Sequence, residues 1–361
     1  YSVKVLILRS SVMTRRIGFA CKYMHPDQTQ KKKVLEELQR PLNEKATTIT
    51  WLNNQTRDVA EQRLWDIMEH NGAAAKRLVE YVGGLPNELR MVRLGSNQLP
   101  AYTQHDWSYF WRKSDVRQKA EQLYSAVGAT ARELDVRLSM HPGQFTVLAS
   151  ADDDIVNRSI EEFEYHVDIA RWMGYGKQFQ DFKVNVHISG KKGPAGIKEC
   201  LNRLTPEARN CITIENDENS WGLEASLELA GHLGLVVDIH HHWVKTGEYI
   251  EPNDDRIKRV IDSWRGVRPT MHYSLSKETY IPEQSPYEKP NMEQLLQQGY
   301  KKQKLRAHSD MCWNTACNDW ALSFWNDFDI MVEAKHKNLA NQQLLEPVSY
   351  THLRAHETLL Y

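Results

Sequence analysis

The chain has 361 residues, of which 41% are hydrophobic and 26% are charged, and its formal net charge is -1. This is the composition of a globular protein with one large domain or two ordinary ones. Lysine plus arginine (46) nearly balances aspartate plus glutamate (47), so there is no global basic field and any nucleic-acid contact needs a local positive site. The apolar runs are too short to cross a membrane. The five cysteines form no C-x-x-C pair, which indicates reduced thiols in a cytoplasmic protein.

Eight short β-rich segments recur along the chain, and each is followed by a longer polar or amphipathic segment. Between them, Arg57–Val82 and Ile155–Trp172 carry apolar residues at helical spacing. Strands that alternate with helices predict parallel pairing, so we expect a single α/β domain, a (β/α)8 TIM barrel with an insertion within residues 22–89. The predicted strands are Arg16–Cys21, Arg90–Gly95, Val136–Pro142, Lys183–Gly190, Cys211–Asp217, Leu235–His241, Thr270–Ser274 and Asp329–Lys335.

The two chain ends differ from this pattern. The strand pattern begins only after Met13, so residues 1–13 are expected to be a non-native or disordered lead to a barrel that spans residues 14–340. Residues 345–361 include "PVSYTHLRAHETLLY", which resembles translated adaptor sequence and predicts an artefactual tail. Its histidines are therefore left out of the predicted site.

Potential metal ligands stand at six of the eight strand ends. The carboxyl ends of the strands of a parallel barrel converge on one face, where the chemistry takes place. A lone histidine there is usually structural, but buried carboxylates are costly unless they are paired or bind metal, so the set predicts a metal site. His105 and His308 lie in loops near the same face. The six strand-end residues are His141, His187, Glu215, Asp238, His272 and Glu333.

The types of these ligands indicate the metals and the chemistry. Imidazoles and carboxylates without thiolates favour Zn²⁺, Mn²⁺ or Fe²⁺ over Ca²⁺ or Mg²⁺. More than four ligands would saturate one ion, so we expect two or more ions that share bridging carboxylates. Clustered ions typically serve phosphate-ester hydrolysis, although a sugar isomerase on the same barrel also uses paired metals.

Six motifs together carry a family resemblance. "SMHPGQF", "NVHISG", "IENDEN", "VVDIHHH", "MHYS" and "MVEAK", in this order between about Arg16 and Lys337, resemble the UV damage endonuclease family. The resemblance implies a barrel with two or three divalent ions, commonly Mn²⁺, with Zn²⁺ or Mg²⁺ as alternatives. It also implies an enzyme that cuts damaged double-stranded DNA immediately 5′ to ultraviolet photoproducts. We expect a monomer without a membrane partner.

The resemblance also assigns residues. In the histidine triplet, alternation along a strand favours His240 and His242, whereas the family's D-x-x-H spacing selects His241, which we follow. Glu215, Asp238, His272 and Glu333 are expected to be catalytic. The metal ligands implied are His105, His141, His187, Glu215, Asp238, His241, His272, His308 and Glu333.

Four further positions matter for DNA and for the number of ions. The resemblance implies that Gln144 and Phe145 probe the duplex where damaged bases are displaced. Phe19 stands where the family tends to have a tyrosine near the lesion. Thr270 stands where many members have a carbamylated lysine that bridges two metals, so two-ion and three-ion sites both stay open.

Three other functions stay open on the sequence. An abasic-site endonuclease would share the metal chemistry but leave photoproducts alone. A two-metal sugar isomerase or epimerase would act on small polyols and ignore DNA. A non-catalytic damage-binding protein would retain damaged duplex without nicking it.

Overall fold

Eight parallel strands form one sheet in the computed structural model, which describes residues 14–346. The predicted lead, residues 1–13, and the predicted tail from residue 347 onward lie outside the described residues, while residues 345 and 346 of that tail belong to a helix. The strands are β1 (Ile17–Ala20), β2 (Met91–Leu94), β3 (Arg137–Met140), β4 (Lys183–His187), β5 (Ile212–Glu215), β6 (Gly234–Val236), β7 (Thr270–Tyr273) and β8 (Asp329–Val332).

The order of the strands confirms the predicted barrel. The sheet runs β6-β5-β4-β3-β2-β1-β8-β7. Its two edges meet where Asp238 pairs with His272 in parallel, and the backbone N–H of His272 donates to the carbonyl of Val237 at 3.0 Å. The carboxyl ends of all eight strands therefore face the same rim.

Helices connect the strands, and two of the three longest lie where helical spacing predicts them. Within the described chain, no helix is both long and apolar enough to cross a membrane. Residues 337–346 are also helical. The other helices are α1 (Lys32–Gln39), α2 (Ile49–Asn53), α3 (Arg57–Gly83), α4 (Ser108–Trp111), α5 (Ser114–Glu133), α6 (Asp153–Trp172), α7 (Gly193–Leu201), α8 (Pro206–Cys211), α9 (Leu223–Leu227), α10 (Ile239–Thr246), α11 (Asp255–Asp262), α12 (Met292–Gln297), α13 (Lys302–Leu305) and α14 (Thr315–Leu322).

Alternation along the strands separates an apolar surface from a polar one. On β4, Val184 and Val186 belong to the main apolar core. The alternate residues Lys183, Asn185 and His187 instead make polar contacts, Lys183 with His272 on β7 and the other two with Glu215 on the neighbouring β5. Because successive side chains of a strand point to opposite faces, the polar set faces the barrel interior.

A buried ion cluster occupies the barrel at the amino ends of the strands. Asp329 is fully buried, and its carboxylate accepts hydrogen bonds from Arg137 Nη1 and from Arg268 Nε, both at 2.7 Å. The backbone N–H of Arg16 adds a third at 2.9 Å. A buried carboxylate needs such partners. This end therefore has a stabilising role, and the other rim is free for chemistry.

The sixth strand is shorter than predicted. We expected Leu235–His241, but β6 ends at Val236 and α10 begins at Ile239. Asp238 is the N-cap residue of α10, and its carboxylate accepts a hydrogen bond from the backbone N–H of His241 at 2.7 Å. Because successive residues of a helix lie about 100° apart, the three histidines point in different directions instead of alternating between two faces.

Candidate metal centre

Glu215, the last residue of β5, lies among four imidazoles at the carboxyl-end rim. Its side chain is fully buried. Oε2 lies 3.3 Å from His141 Nε2 and 3.2 Å from His187 Nε2. Oε1 lies 3.0 Å from His272 Nδ1 and 3.3 Å from His241 Nδ1. Residues from four different parts of the barrel thus converge on one carboxylate.

Two further carboxylates, Asp238 and Glu333, extend this cluster. Glu333 Oε1 lies 3.5 Å from His272 Nδ1. The ligand atoms form two groups, and within each group all atoms lie within 4.8 Å of one another. Since both groups contain Glu215, its carboxylate could bridge two ions. The groups are His141 with His187 and Glu215, and Glu215 with Asp238, His272 and Glu333.

The pKa values of the buried carboxyl groups are shifted because several charged groups lie close together. Burial and the negative charges of Glu215 and Glu333 raise the pKa of Asp238 well above its usual range, against the opposing effect of His241. Burial alone would also raise the pKa of Glu215, but the charges of His272 and His187 and the hydrogen bonds from His141 and His187 together outweigh it, and the pKa falls well below its usual range. The crowding of three carboxylates thus favours the protonated form of Asp238 and the charged form of Glu215.

The donor set fits divalent ions. Asp238 Oδ2 is buried and, among the described residues, has no hydrogen-bond donor. Such an oxygen is costly to bury unless a cation binds it. Both groups combine imidazoles with carboxylates and contain no thiolate. This chemistry suits Mn²⁺, Zn²⁺ or Fe²⁺.

A surrounding layer of hydrogen bonds fixes the ligands. Asn185 Nδ2 donates to Glu215 Oε2 at 2.7 Å, and Thr213 Oγ1 donates to the Asn185 amide oxygen at 2.8 Å. Asp217 Oδ2 lies 3.0 Å from His187 Nδ1, which leaves Nε2 of that ring directed at Glu215. Such partners typically set the orientation of metal-binding imidazoles and carboxylates.

Two buried basic side chains beside the ligands, Lys183 and Arg93, were not predicted from the sequence. Lys183 Nζ lies 3.2 Å from His272 Nε2, and among the described residues no carboxylate lies within 4.0 Å of this amine. Arg93 Nη1 lies 2.6 Å from Glu333 Oε1. Thr270, where the resemblance leads us to expect a lysine, is buried at the start of β7. The period-two pattern Lys183, Asn185, His187 was the sequence signal that could have placed Lys183 inside the barrel.

His308 and Gln144 lie at an open cavity of about 690 Å³ that the ligand cluster shares. Among the described residues, no carboxylate lies within 4.0 Å of the His308 ring nitrogens. In the triplet, His241 is the residue that points into the cluster. His240 packs with its ring centroid 6.4 Å from that of His308, and His242 Nε2 lies 3.2 Å from Glu248 Oε1.

Two residues of the predicted site lie apart from the cluster. His105 is fully exposed and lines a different cavity of about 1250 Å³. The reason is a tight turn in which Gln104 Oε1 accepts the backbone N–H groups of Asp106 and Trp107. Phe19 is completely buried in the apolar core, because alternation along β1 turns it away from the interior, so the structure gives it no surface for DNA.

Phe145, unlike Phe19, is exposed to solvent. Its side chain is 87% exposed, on the turn that follows His141. The backbone N–H of Thr146 closes this turn by donating to the carbonyl of Gly143 at 3.0 Å. Phe145 borders the larger cavity, while Gln144 borders the ligand cavity. The two expected probing residues thus stand between the two cavities.

Comparisons with known proteins agree with one another. The sequence profile of the family described as UV-endonuclease UvdE matches residues 15–357. A UV DNA damage endonuclease of Bacillus thuringiensis subsp. konkukian (strain 97-27) is 23% identical over 317 residues, covering 84% of this chain and 89% of that protein. One of Bacillus cereus (strain B4264) is 24% identical over the same shares. The crystal structure of SacUVDE has the same fold, with a TM-score of 0.69 at 21% identity over 94% of this chain and 99% of that one.

Proposed function

This chain belongs to the UV-endonuclease UvdE family, and we propose that it hydrolyses the DNA phosphodiester bond immediately 5′ to an ultraviolet photoproduct with the help of divalent ions. One observation supports this most: two groups of imidazole and carboxylate ligands share Glu215 at the rim of the barrel. Bridged ion pairs of this kind typically serve phosphodiester hydrolysis. The substrate is double-stranded DNA in the cytoplasm, and the protein acts as a monomer.

The ligand residues and their hydrogen-bond partners have distinct roles in the proposed hydrolysis. When bound, divalent ions lower the pKa of water and stabilise negative charge on a leaving oxygen. Glu215 would bind both ions, and Asn185 holds its carboxylate in place. Hydrolysis adds water across the P–O3′ bond, so that one product ends in a 3′-hydroxyl and the other in a 5′-phosphate. The ligands of one ion would be His141, His187 and Glu215, and those of the other Glu215, Asp238, His272 and Glu333.

We infer two ions, with Mn²⁺ as the first choice and Zn²⁺ or Mg²⁺ as alternatives. Thr270 carries a neutral hydroxyl and cannot supply a bridging carboxylate. The ammonium or amine of Lys183 instead occupies the space beside His272 Nε2. In its protonated form Lys183 would disfavour a third ion nearby, since like charges repel strongly in a buried site.

Recognition of damage would come from the turn that carries Gln144 and Phe145. An exposed phenylalanine is costly in water, but it can stack in the space that displaced bases leave. Extruding a damaged step costs less than extruding intact pairs, which favours lesions over normal DNA. Because Gln144 borders the ligand cavity, a lesion opened at this turn would lie next to the bond that is cut.

The proposal is tested with supercoiled plasmid and Mn²⁺. Irradiated plasmid should be nicked, whereas unirradiated and abasic plasmids should stay largely intact. Glu215→Gln should abolish nicking, and Glu199→Gln, an exposed change on α7, should not. An end-labelled duplex with a single photoproduct then maps the cut. Equal nicking of irradiated and intact plasmid, preference for abasic DNA, or retention of DNA without nicking would each refute the proposal.

A further inference from the structure

A group of cations flanks the ligand cavity on the long connection between β7 and β8. Arg306 lines this cavity together with His308. Further out, the Nζ atoms of Lys277 and Lys304 lie 5.6 Å and 5.5 Å from the centroid of the exposed ring of Tyr280. We call Lys277, Tyr280, Lys304 and Arg306 the basic strip.

The basic strip is held rigidly by the backbone. Ser276 pairs with His308 in an antiparallel bridge, and the backbone N–H of Lys277 donates to the carbonyl of Ala307 at 2.9 Å. The side chain of Leu305, between Lys304 and Arg306, is completely buried. The strip is therefore an ordered extension of the cavity wall, and binding would cost little conformational entropy.

The charges of the strip are available to a ligand. Among the described residues, no carboxylate lies within 4.0 Å of Lys277 Nζ or Lys304 Nζ, and Arg306 approaches only Glu218, at 3.7 Å. Tyr280 is 40% exposed, so its ring presents an apolar surface next to the two amines. Cations interleaved with an exposed aromatic ring suit a nucleic-acid backbone and its bases. The net charge of -1 makes such a local site necessary.

We propose that the basic strip binds the sugar–phosphate backbone of duplex DNA beside the lesion and aligns it with the ligand cavity. This inference rests on the proposed function, because the strip adjoins the same cavity. Contacts with phosphates position a duplex but carry no sequence information. The strip should therefore strengthen the binding of damaged and undamaged DNA by the same factor.

The test measures the binding of a fluorescent duplex, with and without one photoproduct, by anisotropy over a range of KCl concentrations. EDTA is present so that no cutting occurs. In Lys277→Ala/Lys304→Ala, affinity at ~100 mM salt should fall roughly ten-fold for both duplexes. The slope of log K against log salt should become shallower by about 1.8 if each lysine neutralises one phosphate.

The matched control is Lys177→Ala/Lys198→Ala. It removes the same two charges from exposed positions near the amino-end face, before β4 and in the last turn of α7, and should bind like the wild type. Tyr280→Phe should keep the wild-type affinity, while Tyr280→Ala should weaken binding to both duplexes about five-fold or more.

The outcomes separate the two proposals. If the wild type binds DNA but Lys277→Ala/Lys304→Ala keeps its affinity and salt slope, the strip is not the backbone site and the proposed function still stands. A loss of affinity confined to the damaged duplex would also contradict the proposal for the strip, because it would indicate contact with the lesion itself. If the wild type binds neither duplex, the proposal for the strip fails. If it also leaves irradiated plasmid intact with Mn²⁺, the proposed function fails as well.

Discussion

Lys183→Met should make the metal-free protein more stable, and the gain should depend on pH. Burial lowers the pKa of Lys183 from its ordinary 10.5 to about 7. The folded state therefore disfavours the charged amine, and this cost is complete below pH 7. It disappears as the pH approaches 10.5, because the unfolded chain then loses the same proton.

The magnitude follows from this shift. Each pKa unit corresponds to about 1.4 kcal/mol. The burial of the Lys183 charge should thus cost about 5 kcal/mol at pH 6.5 but only about 1 kcal/mol at pH 9.5. Methionine removes this cost and keeps an unbranched apolar chain. Loss of the hydrogen bond to His272 reduces the gain in the free energy of unfolding by about 1 kcal/mol at either pH. We expect a net gain of about 4 kcal/mol at pH 6.5 that shrinks by about 3 kcal/mol at pH 9.5.

Urea denaturation followed by circular dichroism, with EDTA at both pH values, measures this difference in the free energy of unfolding. Lys198→Met, at an exposed position of α7, is the control and should show no pH-dependent gain. A Lys183→Met variant that is less stable than the wild type, or equally stabilised at both pH values, would show that the amine has a favourable buried partner and refute the reasoning.

Three further results are expected at the site. Glu215→Gln should lose at least one bound ion in elemental analysis, because it removes the charge shared by both ligand groups. Its nicking rate should fall more than about 100-fold. Full metal content in this variant would contradict the prediction. Phe145→Ala should keep its metal but nick irradiated plasmid about ten-fold more slowly, and an unchanged rate would mean that the ring does not probe DNA. Although burial lowers the pKa of both imidazoles, nearby carboxylates raise that of His241 to about 9 and that of His187 well above its usual value. Metals compete with protons for such a site, so Mn²⁺ uptake at pH 7 should release at least one proton, which calorimetry detects as heats that depend on the buffer. Equal heats in all buffers would contradict this prediction.

Local patterns in the sequence were sufficient for the fold and for the position of the site within it. Period-two and helical spacings report which face of each element is buried, and eight alternating units leave few arrangements besides a parallel barrel. The parallel barrel also fixes the rim at which strand ends meet. For that reason Glu215 and His272, 57 residues apart in the chain, could be assigned to one site before any distance was known.

The tertiary structure decided what depends on where a strand ends and on partners distant in the chain. His241 points into the cluster because α10 begins at Ile239, which strand alternation could not foresee. A turn directs His105 outward, and the parity of β1 buries Phe19. Lys183 reaches His272 across 89 residues of sequence, and only the closed barrel brings these two side chains together.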